Sequence, residues 1–115
     1  MRSRPLGLRM AFHVTTRWGA DEREPTVDRM REMLSQLDAE DIERQSVALT
    51  HESAWCLGAY PDGLLVWENL EADDEPRHMN GVSRERVLGL WSKLAEGRLA
   101  EIEAEPWLPG YEDRG

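Results

Sequence analysis

The stretch from position 47 to position 70 reads VALTHESAWCLGAYPDGLLVWENL, and it decides the fold. It contains three apolar runs separated by polar turn residues: 47–50, 54–60 and 64–70. Asp62 and Gly63, between the second and third runs, form a strong hairpin signal because both residue types accept the backbone angles of a tight turn. The sequence therefore predicts an antiparallel meander of three strands.

Upstream of the meander, the pattern predicts one strand and one helix. Apolar residues alternate with polar or small ones at Leu8, Met10, Phe12 and Val14, which is typical of a half-buried strand. Residues 19–25 are polar and predict a loop. Apolar residues then recur at helical spacing, so we predict a helix near 27–39 with Thr26 as its N-cap.

Downstream of the meander, residues 71–81 are charged and include Pro76, which predicts a surface loop. Ser83 is placed to cap a second helix that Gly97 ends. Gly89 lies in the middle of that helix and suggests close approach of another element. Leu99 and Ile102 indicate one more helical turn, and the aromatic tail 107–111 is expected to pack back onto the domain.

Taken together, the elements follow the order β-α-β-β-β-α. The predicted fold class is α+β: a two-layer sandwich with a mostly antiparallel sheet and helices on one face. With 115 residues there is room for one domain, which we place at 10–115. Residues 1–9 carry three arginines and are either a flexible basic arm or a misassigned start.

Charge points to the class of partner. The chain has a net charge of −9, yet residues 1–17 hold four arginines and no acid, so all 23 acids lie in the remainder. Such a body repels nucleic acid and anionic membrane, and it favours a basic protein partner. No run approaches the length of a membrane helix, and a single cysteine fits a reducing cytoplasm.

The residues that could take part in catalysis or bind a metal are scattered along the sequence. His13, His51 and His78 lack a second ligand at metal spacing, and Cys56 falls inside a predicted strand, where a buried thiol is usually inert. No glycine-rich phosphate loop is present. We therefore predict no catalytic, cofactor or metal site and no enzymatic activity.

The binding hypothesis comes from the strands of the meander, which are apolar on both faces. Two helices can cover only one face, so the tail, a second copy or a partner must cover the other. An acidic run follows directly after Trp67, and an exposed ring beside such a run suits an interface with a basic protein. The predicted partner-binding residues are Trp67, Glu68, Glu71, Asp73, Asp74 and Glu75.

About half of the chain, in the stretches 49–69 and 81–111, resembles small acidic bacterial proteins. Some of these look like the immunity proteins encoded beside toxins in polymorphic-toxin systems, in which a tryptophan and a glutamate recur on the strands. Trp67 and Glu68 match that pattern, whereas the first 45 residues show no correspondence. The resemblance implies a cytoplasmic inhibitor that plugs the active site of a cognate toxin, often a basic nuclease.

Three alternatives remain open at this stage. An anti-restriction or anti-CRISPR inhibitor would use its carboxylates to mimic nucleic-acid phosphates. A homodimer would bury the spare sheet face against a second copy. An enzymatic function would be favoured if the structure brought His51 and Glu52 together in an apolar pocket.

Overall fold

A computed structural model describes residues 11–16, 19–38, 46–73 and 75–111. The strands are β1 (Phe12–Thr15), β2 (Asp21–Arg23), β3 (Val47–His51), β4 (Trp55–Ala59), β5 (Leu65–Asn69), β6 (Arg77–Met79) and β7 (Leu108–Pro109). The helices are α1 (Val27–Ser35), which continues into a 3-10 turn (Gln36–Asp38), α2 (Arg84–Ala95) and α3 (Leu99–Glu103).

All seven strands form one antiparallel sheet in the order β2-β1-β3-β4-β5-β6-β7. The predicted meander is confirmed as β3, β4 and β5. In its second turn Gly63 has a φ of +92°, and a Cβ there would lie 3.2 Å from the Cα of Gly81. Glycine is therefore required at position 63 both by the backbone angle and by the close approach of the turn that precedes α2.

Two predicted caps begin the two longer helices. Thr26 accepts a hydrogen bond from the backbone N–H of Arg29, and Ser83 accepts one from that of Arg86, each at 3.1 Å. Both helices place their apolar side chains against one face of the sheet. Trp91 of α2 is fully buried there and donates its indole N–H to the carbonyl of Leu57 at 3.1 Å. The α+β class, with helices packed on an antiparallel sheet, is confirmed.

The structure adds strands that the sequence pattern missed. The predicted loops 19–25 and 71–81 contain β2 and β6, and β6 buries His78 and Met79. Each of these strands has only three residues, which is too few for a visible alternation of apolar and polar residues. Each forms because its backbone pairs with the neighbouring strand. Positions 1–10 lie outside the described residues, so the predicted arm and the first residues of the first predicted strand are not described.

The face of the sheet opposite the helices is partly covered by the tail. Its side chains include the buried Cys56, Val66 and His78. His78 donates its Nδ1 hydrogen to the carbonyl of Gly110 at 2.9 Å, and Tyr111 also reaches this face. The tail therefore packs back as predicted, but Trp107 lies on the helix-bearing face.

Gly89 gives a direct test of helix energetics. Gly89 is exposed, and an added Cβ would meet no atom within 4 Å. The prediction that another element approaches it closely is therefore wrong. Gly89→Ala is expected to raise the free energy of unfolding by about 1 kcal/mol, because alanine loses less backbone entropy in a helix. Urea denaturation measures the change. Gly63→Ala is the matched control and should destabilise; a loss of stability in the Gly89 variant would contradict the observed geometry.

Candidate functional site

One end of the sheet brings together segments that are distant in sequence. Phe12 pairs with His51, and Trp55 pairs with Asn69, so the starts of β1 and β4 adjoin the ends of β3 and β5. Two backbone hydrogen bonds join the flanking residues: Glu52 N–H to the Ala11 carbonyl at 2.8 Å, and Leu70 N–H to the Ala54 carbonyl at 2.9 Å. We call residues 11–13, 50–54, 69–73 and 75 the acidic end.

The acidic loop after β5 is held by its first side chain. Asn69 accepts hydrogen bonds through its side-chain oxygen from the backbone N–H groups of Glu71 and Ala72, both at 2.9 Å. Glu71, Asp73 and Glu75, which lie in and after this turn, are exposed. Of the predicted partner-binding residues, Asp74 lies outside the described part of the chain.

Charge is distributed unevenly between this loop and the helical layer. Carboxylates on and around the helices form ion pairs: Glu22 and Glu32 with Arg29, Asp28 and Glu85 with Arg31, Glu103 with Arg77, Glu105 with Arg86, Glu101 with Lys93 and Arg98, and Glu96 with Arg98. Glu71, Asp73 and Glu75 form no ion pair with any residue that the structure describes. Among the described residues, the negative charge is therefore compensated on the helices, whereas that of the loop acids Glu71, Asp73 and Glu75 is not compensated by an ion pair.

Trp67 is not the exposed ring that the sequence suggested. Its side chain is 0% exposed and lies between Trp55 and Trp107, with ring centroids 4.4 and 6.1 Å away. Its indole N–H donates to Glu103 at 3.0 Å, and that carboxylate also accepts two hydrogen bonds from Arg77. These bonds, led by those from Arg77, lower the pKa of Glu103. Trp67 therefore belongs to the core, and the prediction that its ring is an exposed interface anchor is wrong.

Glu68 points to the opposite face of the sheet from Trp67 and is half-buried. It accepts a hydrogen bond from the hydroxyl of Tyr111 at 2.8 Å. That bond and the charge of Glu68 raise the pKa of Tyr111, because ionising the phenol would place a second negative charge beside the carboxylate. Glu68 thus contacts the tail, while the exposed acids follow it in the loop.

An open groove of about 640 Å³ lies at the acidic end. Its apolar lining comes from Phe12, Ala54 and Leu70, among other residues, and Leu70 is 57% exposed. An exposed leucine beside unpaired carboxylates gives the mixture of apolar contact and charge that the sequence hypothesis assigned to Trp67.

The charged lining of the groove is mainly acidic. Among the described lining residues, Asp21, Glu52 and Glu71 carry carboxylates and Arg23 carries a guanidinium. Asp21 also accepts a hydrogen bond from Thr15 at 2.7 Å, which fixes its position at the edge of the sheet.

His51 and Glu52 both line this groove, which is the arrangement that favours an enzyme. The Nδ1 atom of His51 lies 2.7 Å from the hydroxyl oxygen of Ser53, but it also accepts the backbone N–H of Ser53 at 3.1 Å. A histidine that closes a turn onto its second neighbour uses the lone pair that a general base needs. The contact between His51 and Ser53 is therefore a turn contact in this geometry.

Cys56 lies on the other face of the sheet from His51, because its strand partner is Thr50. The hydroxyl of Thr50 donates to its Sγ atom at 3.4 Å. Burial, with a smaller contribution from the charge of Glu68, raises the pKa of the thiol to about 11. The neutral thiol predominates at physiological pH, so Cys56 supplies no thiolate nucleophile.

The described residues have neither a metal-binding cluster nor a membrane-spanning helix. They contain no group of three or more His, Cys, Asp or Glu side chains arranged to hold a metal ion. None of the helices in this part of the chain is both long enough and apolar enough to cross a membrane.

Comparison with known proteins adds no relative. No protein-family model, no curated protein and no solved structure matches the chain. The resemblance to immunity proteins therefore stays an expectation, and the candidate site depends on its own geometry.

Of the residues that line the groove, the sequence prediction of a partner-binding surface included only Glu71, and it missed others such as Phe12 and Leu70. Leu70 carried a usable signal, because it is the last apolar residue before the acidic run. Phe12 gave none, since its proximity to His51 and Glu52 depends on the pairing of β1 with β3.

Proposed function

We propose that this chain is a protein-binding module of the immunity type, which neutralises a basic partner such as a toxin or nuclease in the cytoplasm. The partner contacts the acidic end of the sheet. Loop carboxylates steer and orient the approaching basic surface, and Leu70 supplies the apolar contact.

The observation that carries this proposal is the contrast between paired and unpaired acids. Carboxylates on the helical layer are matched by neighbouring arginines and a lysine, whereas Glu71, Asp73 and Glu75 are exposed and form no ion pair among the described residues. Like charges held close together oppose folding slightly, so a cluster of this kind favours a cationic ligand that relieves the repulsion.

The compact extent of the cluster favours a protein partner over the nucleic-acid-mimic alternative. A mimic of a phosphate backbone needs negative charges repeated along an extended surface. Among the described residues, three exposed carboxylates without an ion pair lie close together in sequence in one loop, at positions 71, 73 and 75. A short basic segment of a protein matches that footprint better than a nucleic-acid channel does.

Affinity capture from a lysate of the source cells tests the proposal. The loop variant carries Glu71→Gln, Asp73→Asn and Glu75→Gln. Its control carries Glu32→Gln, Glu85→Gln and Glu101→Gln, which change the net charge equally but remove paired acids. We expect the wild type and the control to retain one basic protein that the loop variant loses. Equal recovery by all three chains would contradict the proposal.

Neutralisation is tested separately from binding. The captured protein is expressed from an inducible promoter, alone and together with the wild type, the loop variant or the control variant. We expect growth to stop with the partner alone, to recover with the wild type and the control, and to fail again with the loop variant. Normal growth with the partner alone would contradict the proposed inhibitor function and would support only the interaction.

A further inference from the structure

We propose that Asn80 is a site of spontaneous deamidation, which converts it to aspartate and isoaspartate. Asn80 and Gly81 are adjacent, and both are exposed in the turn between β6 and α2. The reaction needs water and no enzyme, and the inference is independent of the proposed function. Such a modification changes both the charge and the covalent backbone of the chain at one position.

The chemistry is an attack of the backbone on the preceding side chain. Hydroxide removes the proton from the backbone N–H of Gly81, and that nitrogen forms a bond with Cγ of Asn80. The bond between Cγ and the side-chain nitrogen then breaks, and this nitrogen takes a proton from water and leaves as ammonia, which regenerates hydroxide. Water opens the cyclic succinimide at either carbonyl. One opening gives aspartate, and the other gives isoaspartate, in which the main chain runs through the former side chain.

The position of Gly81 leaves its nitrogen open to this reaction. Its N–H donates no hydrogen bond to any residue that the structure describes, whereas the next N–H, that of Val82, donates to the carbonyl of Gly63 at 2.9 Å. Gly81 has a φ of +65°, and a Cβ built there would meet no atom of the described residues within 4 Å, its chain neighbours aside. Because glycine has no Cβ, no side chain of its own obstructs the approach of the nitrogen to Cγ of Asn80.

Asp62 is the one aspartate that precedes a glycine, and the structure protects it from the same reaction. The N–H of Gly63 donates to the carbonyl of Tyr60 at 3.2 Å, so this nitrogen is engaged in the turn. A side-chain oxygen of Asp62 accepts the N–H of Leu64 at 3.2 Å, which holds the carboxylate in place. An ionised carboxylate is also a poorer electrophile than an amide.

Asn69, the other asparagine of the chain, is held by hydrogen bonds on both sides. Its side-chain oxygen accepts two backbone N–H groups of the loop that follows, and its side-chain nitrogen donates to the carbonyl of Ser53 at 3.3 Å. The N–H of Leu70, whose nitrogen would attack, donates to the carbonyl of Ala54 at 2.9 Å. Deamidation at Asn69 must first break these bonds, so the structure selects Asn80.

The isoaspartate product should loosen the turn that precedes α2. A Cβ on Gly63 would lie 3.2 Å from the Cα of Gly81, so the two turns are in close contact. Isoaspartate adds one carbon to the main chain directly before Gly81, where closely packed groups have little room to shift. We therefore expect the isoaspartate form to unfold at a lower urea concentration than the aspartate form made as Asn80→Asp.

The experiment incubates the folded full chain at physiological temperature, at neutral and at mildly alkaline pH. Peptide mapping by mass spectrometry follows each asparagine, and chromatography separates aspartate from isoaspartate. We expect Asn80 to deamidate faster as pH rises, because hydroxide generates the attacking nitrogen. Asn69 should react at least about tenfold more slowly, which corresponds to a barrier higher by about 1.4 kcal/mol. Equal rates at the two asparagines, or an Asn80 that stays intact, would overturn the inference.

Two variants and one change of solvent test the geometry. Gly81→Ala should slow the reaction about tenfold, because its Cβ obstructs the attack. Asn80→Gln should stop it, because glutamine must close a larger ring, and this variant keeps the glycine at a position where alanine is strained. In guanidinium chloride, isomerisation at Asp62 should accelerate while the rate at Asn80 changes little. An unaltered rate in Gly81→Ala, or a larger acceleration at Asn80 than at Asp62, would contradict the open geometry.

Discussion

Replacing Trp67 by alanine is expected to lower the free energy of unfolding by about 3–5 kcal/mol. The ring is fully buried between two other tryptophans, and its removal leaves a cavity in the middle of that stack. It also removes the hydrogen bond from the indole to Glu103. Because small domains are stable by only about 5–15 kcal/mol, this one change removes a large part of the total.

Urea denaturation followed by circular dichroism measures the loss. Trp67→Phe keeps a ring in the core and should cost about 1–3 kcal/mol, so the comparison works even if the alanine variant does not fold. Trp107→Ala, which removes a half-exposed ring of the same stack, should cost less than Trp67→Ala. A cost below about 1 kcal/mol for Trp67→Ala would place the ring on the surface, as the sequence hypothesis had it.

The second large effect concerns the rate at which the captured partner associates. At low ionic strength, the loop variant should associate about 10- to 100-fold more slowly than the wild type, because the unpaired carboxylates no longer steer the encounter. Raising the salt concentration should slow the wild type towards the rate of the variant. Surface plasmon resonance at several salt concentrations measures both trends.

The control for this kinetic experiment is again the variant that neutralises paired acids. It has the same net charge as the loop variant, so a general effect of charge would slow both chains equally. We expect the control to associate at nearly the rate of the wild type, because the acids that it loses are already compensated by arginine or lysine. Equal slowing of the two variants would mean that total charge, and not the acidic end, governs association.

Local signals predicted the central elements of the fold well. Asp62 and Gly63 marked the hairpin between β4 and β5, and Thr26 and Ser83 marked the starts of α1 and α2. Each of these signals acts through a backbone bond within a few residues, so no tertiary information was needed. The same reasoning could not find β6, whose three residues become a strand only by pairing with β5.

The site was harder to predict because burial is a property of the whole fold. Trp67 lies in a strand that is apolar on both faces, so the sequence does not show which face is covered. Only α3 and Trp107 show that the face of Trp67 is covered. The acidic loop, in contrast, was visible as a run of charges, and its described acids are exposed. Sequence thus located the charges of the site but not the apolar residues that adjoin them.

The central claim is that the partner contacts the acidic end of the sheet, and hydrogen–deuterium exchange of the complex tests it most directly. Binding should slow exchange in residues 11–13, 50–54 and 69–75 and leave the exposed faces of α1 and α2 unchanged. The loop variant, mixed with the same partner at the same concentration, should show no such protection. Protection confined to the helices, with unaltered exchange at the acidic end, would contradict the account.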